Sequence, residues 1–132
     1  MAHTIRIGLV VLFALACESP RPPAEHTNAR MTAAAKFTAL YAKSRMANWK
    51  IRASASGSDC AVLFIETPIV LEDSMIEAMH YGAGAYDVYL GGVQQFCRDR
   101  AFRGVAYKDG SGRRWAFGGV TPVEVNRLAP CE

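Results

Sequence analysis

Past residue 17 the chain has no apolar run approaching the ~20 residues that span a bilayer. It has no Cys-x-x-Cys pair, which disfavours a thiol redox site. Its later cysteines, Cys60, Cys97 and Cys131, also lack the short paired spacing that preorganises a zinc site. Histidine is scarce: His80, in Met79-His80-Tyr81-Gly82, is the only one after residue 30. A general base would need a nucleophile and an orienting carboxylate, and spacing supplies neither. Asp109-Gly-Ser-Gly112 lacks the lysine and following helix of a phosphate loop, so it reads as a hairpin turn. There are no repeats at solenoid periods. These absences predict a protein that is not an enzyme and holds no metal or cofactor.

What is present begins at the N-terminus. Residues 7–17 form an uncharged apolar run that follows Arg6 and closes on the small residues of Ala14-Leu15-Ala16 before Cys17. A short positive region, an apolar stretch too short to span a bilayer and a small-residue cleavage site make a secretory signal over residues 1–16. Ala14-Leu15-Ala16-Cys17 resembles the lipobox of bacterial membrane lipoproteins. That resemblance implies a diacylglyceryl group on Cys17, which becomes the first residue of the mature chain, and an anchor in the cell membrane or outer membrane. The commonest lipobox has leucine three residues before the cysteine, where this chain has Ala14. Ala14-Leu15-Ala16 also suits an ordinary signal peptidase, which would leave a plainly secreted protein. Glu18 is not the aspartate that marks inner-membrane retention in such lipoproteins, which points to the outer membrane.

Residues 17–30 hold three prolines and no large apolar residue, and read as an extended tether. Residues 31–132 are enough for one small domain with one core. If Cys17 carries lipid, three cysteines remain and one is left over; if not, four allow two bridges in three connectivities. Cys60 and Cys97 both fall on apolar stripes, so the expected bridge joins them, with Cys97–Cys131 and Cys60–Cys131 as competitors.

Apolar spacing predicts a helix over 31–46 with Ala33, Phe37, Leu40, Tyr41 and Ser44 on one face. Strict alternation over 49–56 sets Trp49, Ile51, Ala53 and Ala55 on one side of a strand, followed by a second strand at 60–65. A two-residue Gly57-Ser58 turn would place Ala55 opposite Cys60, Ala53 opposite Val62 and Ile51 opposite Phe64. A helix over 71–81 turns Leu71, Met75, Ile76 and Met79 inward. Another over 85–101 carries Tyr86, Leu90, Val93 and Cys97, kinked or divided at Gly91-Gly92. Residues 104–119 form a second hairpin with Val105, Tyr107, Trp115 and Phe117 on a common face. Thr121, Pro122 and Glu124 read as N-cap, N1 and N3 of a final helix with a capping box. The order α-ββ-α(α)-ββ-α predicts a two-layer α+β domain, a four-stranded antiparallel sheet from two hairpins with helices on one face.

Charge is arranged in blocks. Residues 30–52 carry Arg30, Lys36, Lys43, Arg45, Lys50 and Arg52 and no acid, whereas 53–97 carry six acids and no Lys or Arg. Residues 98–132 return to seven basic against four acidic. The blocks are expected to pair within the fold, for instance Lys50 near Glu66; the alternative is a basic patch facing anionic lipid or polysaccharide. Without residues 1–16 the balance is 14 basic to 12 acidic, and together with export this speaks against nucleic acid. The Tyr-rich and Gly-rich middle segment, with His80, Tyr81, Tyr86 and Tyr89, is the candidate binding region. The sequence thus describes a cell-envelope lipoprotein that works by binding another envelope protein, with a periplasmic small-ligand or glycan carrier as the alternative.

Overall fold

The computed structural model describes residues 24–132, so the signal sequence, Cys17 and residues 18–23 lie outside the described residues. Helix α1 (Ala24–Ala42) starts inside the stretch expected to be an extended tether. Ala, Glu and Arg are strong helix formers, and residues 26–30 of the helix are exposed or half-buried. A 3-10 turn (Ala47–Trp49) leads to β1 (Arg52–Ser56) and β2 (Val62–Glu66). Helix α2 (Asp73–Tyr81), a second 3-10 turn (Gly84–Tyr86) and α3 (Gly92–Asp99) follow. β3 (Gly104–Lys108), β4 (Arg114–Gly118) and α4 (Pro122–Val125) complete an α+β fold in the expected order.

The four strands lie in sheet order β1-β2-β3-β4. The two hairpins are antiparallel, as expected, but the central β2–β3 pair is parallel, with Phe64 beside Ala106. The sheet is therefore mixed rather than wholly antiparallel. The connection through α2 and α3 is long enough to carry the chain back to the starting end of its neighbour, the requirement for a parallel pair.

Helices α1, α2 and α3 cover one face, burying Phe37, Tyr41, Ile76, Met79, Val93 and Phe96 against Ala53, Ala55, Leu63, Ile65, Val105 and Tyr107. The other face, Val62, Phe64 and Ala106, is covered by the C-terminal segment through Leu128, Val120 and Val125, so the helical cover is not confined to one side. The outer edge of β1 is also closed. Thr38 Oγ1 of α1 accepts from Ala53 N at 2.9 Å, and Cys131 N donates to Ala55 O at 2.8 Å.

The first hairpin departs from the expected register. Ala55 faces Leu63 and Ala53 faces Ile65, because the loop spans residues 57–61 instead of two. Cys60 N donates to Gly57 O at 3.1 Å, and Ala61 N to Asp59 Oδ1 at 3.1 Å. An odd shift in register reverses every side chain of β2 relative to β1. Cys60 stays in the loop ahead of β2, within reach of Cys131 in the C-terminal segment, while Cys97 is buried beneath the helices. The expected Cys60–Cys97 bridge is replaced by Cys60–Cys131, with Cα atoms 6.0 Å apart, and Cys97 is a free thiol.

The expected helix over 85–101 is confined to Gly92–Asp99, and Leu90, expected inward, is 97% exposed. Gly82 (φ +79) and Gly92 (φ +73) explain the break. A Cβ on Gly82 would stand 2.6 Å from Gly92 N, so the two backbones touch where α2 ends and α3 begins. On α1, Leu40 is partly exposed and Ala34 takes its place in the core.

Candidate functional site

The parallel pair brings the carboxyl ends of β2 and β3 together at one end of the sheet. Arg52, Glu66, Lys108 and Arg114 stand in one row across the four strands. Beside this row opens a groove of about 660 Å³, lined by Lys50, Arg52, Glu66, Pro68 and Lys108 and by the turn Gly110–Gly112. In open sheets, ligands characteristically sit outside the carboxyl ends of parallel strands.

The groove is built by backbone and by one buried carboxylate. Asp109 is 3% exposed. Its Oδ2 accepts from Leu71 N at 2.9 Å, and its Oδ1 accepts from Ser111 N at 3.0 Å, Ser111 Oγ at 2.6 Å and Arg113 N at 3.1 Å. Burial pushes the Asp109 carboxyl up, but the Ser111 hydroxyl and these N–H donors outweigh it and hold it below its ordinary value. Gly110 N donates to Ile69 O at 2.9 Å, and a Cβ on Gly110 would collide with Pro68 O. Lys50 sits in the left-handed region (φ 51) at the end of the 3-10 turn. Its place is fixed by Thr67 Oγ1, which donates to the preceding Trp49 O at 2.5 Å.

With Asp109 committed to the turn, the side chains facing the groove are the cations Lys50, Arg52 and Lys108 against the single anion Glu66. Glu66 pairs with Arg52 at 3.4 Å, not with Lys50 as expected. Chemically this is a site for an anionic group. Among the described residues no cluster of three His, Cys, Asp or Glu is placed to hold a metal.

Of His80 and the three tyrosines of the candidate binding segment, only His80 and Tyr81 meet, edge-on with ring centroids 4.8 Å apart. Tyr86 packs on Trp49, with ring centroids 5.5 Å apart. Tyr89 stacks on Phe37 at 5.2 Å. Tyr81, 55% exposed, meets Phe117 edge-on at 5.8 Å. His80 is buried; its Nδ1 lies 2.9 Å from Tyr107 Oη and its ring stacks on Phe117 at 3.9 Å. It lines a cavity of about 140 Å³ together with Cys97, Gln94 and Phe102. Burial, then the charge of Arg98, lowers the His80 pKa to about 4. Burial also raises the Cys97 thiol to about 12 and moves Tyr107 well above its ordinary value. All three groups are neutral at pH 7. A neutral thiol is a weaker nucleophile than its thiolate.

The charge blocks meet differently from the expectation. From residues 30–52 only Arg52 joins an ion pair among the described residues, and the acids of the middle segment are met chiefly by the third block. Arg113 pairs with Asp73 at 2.5 Å. Arg103, which no sequence pattern marked, holds Asp59 through Nε at 2.8 Å and Nη2 at 3.1 Å. It also grips Glu124 through Nη1 at 2.8 Å and Nη2 at 2.5 Å, and donates to Gly119 O. The Glu124 carboxyl is held low first by these Arg103 hydrogen bonds. Thr121 caps α4 as expected, accepting from Glu124 N at 3.0 Å.

Lys50 and Arg52 belong to a block that the sequence displays, but their meeting with Lys108 depends on parallel pairing, which it does not. Compared with protein-family models, with curated proteins and with solved structures, the chain matches none.

Proposed function

We propose that this chain is a bacterial cell-envelope lipoprotein, anchored through lipid on Cys17, whose domain binds an acidic segment of another envelope protein. The observation that carries the binding assignment is the groove at the ends of β2 and β3, with Lys50, Arg52 and Lys108 around it. Its openness suits an extended chain, and cations at the rim steer an acidic partner and fix its register. The Cys60–Cys131 disulfide supports an extracytoplasmic setting, because such bonds persist in oxidising compartments. No described helix is long and apolar enough to cross a membrane. The function in this reading is binding without catalysis.

The second reading is a carrier of a small anionic or glycan ligand. It draws support from the groove volume of about 660 Å³, which lies in the range of small-molecule sites.

Pull-down of the natively lipidated, detergent-solubilised protein tests the first reading. The partner recovered with the wild type should be lost when Lys50 and Lys108 are both changed to Glu. Equal recovery with that double variant would rule out the groove as the partner's site. Retention of a small anion by the purified wild type, in place of a protein, would favour the carrier.

A further inference from the structure

Helix α1 leaves one stripe of its surface uncovered. Lys36, Ala39 and Leu40, the last 39% exposed, lie on one side of the helix by their spacings of three and four residues. Lys43, also exposed, follows in the turn just past its end, where its N–H donates to Leu40 O at 3.2 Å. The inward side carries Phe37 and Tyr41, and Tyr89 packs on both rings, at 5.2 and 5.9 Å. The residue after it, Leu90, is 97% exposed, the most exposed large apolar side chain among the described residues. Arg100 lies over the Phe96 ring at 3.9 Å. Phe96 in turn packs against Phe37 and Tyr89, so a third cation borders the same cluster. Among the described residues Lys36, Lys43 and Arg100 have no ion-pair partner. Exposed leucines bordered by cations have the chemistry that adsorbs to a bilayer interface: apolar tips enter the headgroup layer and the cations meet anionic lipid.

We infer that this face of α1, with Lys43 at its end, lies against the anionic headgroups of the membrane that holds the anchor. The geometry rests on the lipoprotein reading. Only residues 18–23 separate Cys17 from α1, and that span extends at most about 25 Å. The start of the helix is thus held within that distance of the bilayer. The groove belongs to a different part of the domain, around the ends of β2 and β3, and stays available to a partner.

Two measurements separate this inference from the reading beneath it. Intact-mass analysis of the exported wild type reports whether Cys17 carries lipid. Cosedimentation of the mature Cys17→Ser chain, which cannot carry it, reports on the face alone. That chain should sediment with phosphatidylglycerol vesicles at low salt, and should fail to do so with phosphatidylcholine vesicles or in high salt. Lys36→Gln and Lys43→Gln should each weaken the binding about fivefold, the equivalent of about 1 kcal/mol for each basic residue at an anionic surface. Both lysines are exposed, so the variants keep the fold, which circular dichroism checks. Absence of salt-sensitive binding, or equal binding by the double lysine variant, would overturn the inference. So would binding that survives in that variant but is lost in Lys50→Gln/Lys108→Gln, since it would move the lipid contact to the groove.

Discussion

His80 combines a buried imidazole, a hydrogen bond to Tyr107 and a pKa of about 4 against an ordinary value of 6.5. The unfolded chain takes up this proton first as pH falls. The contribution of neutral His80 to stability is therefore full above pH about 6.5 and declines as pH drops toward 4. At its limit the loss is about 3 kcal/mol. Asp59, Asp109 and Glu124, whose pKa values are held low, lose their contributions at lower pH still. Urea unfolding between about pH 7 and 4.5 should show a falling midpoint, and His80→Asn should flatten it. An unchanged slope in that variant would assign the acid sensitivity elsewhere. Burial of Cys97 followed from the apolar stripe of its helix, whereas His80, expected in the binding segment, is buried off the stripe of its own. The partners of neither followed, because a stripe reports which way a side chain faces and nothing about what it meets.

At the level of elements, legibility tracks how local the determinants are. The second hairpin pairs Val105 with Phe117 and Tyr107 with Trp115, as its sequence foretells. Its turn is closed by Asp109 acting on its own neighbours, Ser111 and Arg113. The first hairpin was misread because its loop is held by Asp59, whose partner Arg103 stands 44 residues away. Cys60 belongs to that loop and bonds to Cys131 instead of the expected Cys97. The resulting bond spans 71 residues of sequence. Removing it through Cys60→Ser/Cys131→Ser should cost about 2–4 kcal/mol, measured by chemical denaturation. A variant as stable as the wild type would mean that Arg103 and the Leu128 contacts suffice to hold the C-terminal segment.

The break between α2 and α3 yields a second prediction at this scale. Gly92→Ala forces a side chain into backbone, with His80 O 2.6 Å from the new Cβ, and imposes an unfavourable φ as well. Gly84→Ala imposes only the backbone cost, since nothing lies within 4 Å. The expected losses are more than ~3 kcal/mol for the first and about 1–2 kcal/mol for the second. Equal losses in thermal unfolding would show that the close approach of the two helices is not what fixes these glycines.

For the molecule as a whole, the α+β class was readable because the order of helices and strands shows in local apolar spacing, even where the ends of α1 and α3 do not. The parallel centre was not, since strand direction depends on how a long connection packs. The groove, being a product of that direction, was hidden with it.

Thr38 and Cys131 have a consequence for how copies of the domain can meet. A sheet with two open edges can add strands at both ends and propagate into a filament. Here β4 is the one edge without a strand or cap among the described residues, whereas β1 is sealed by a hydroxyl and by the end of the chain. Edge-to-edge association can join two copies through their β4 strands and must then stop, because each pair presents only sealed ends. Sedimentation of concentrated protein should accordingly show species no larger than a dimer. Thr38→Val combined with Cys131→Ser should permit longer assemblies. Crowded on a membrane surface, such domains would be protected from chain growth by one threonine and the last few residues of the sequence.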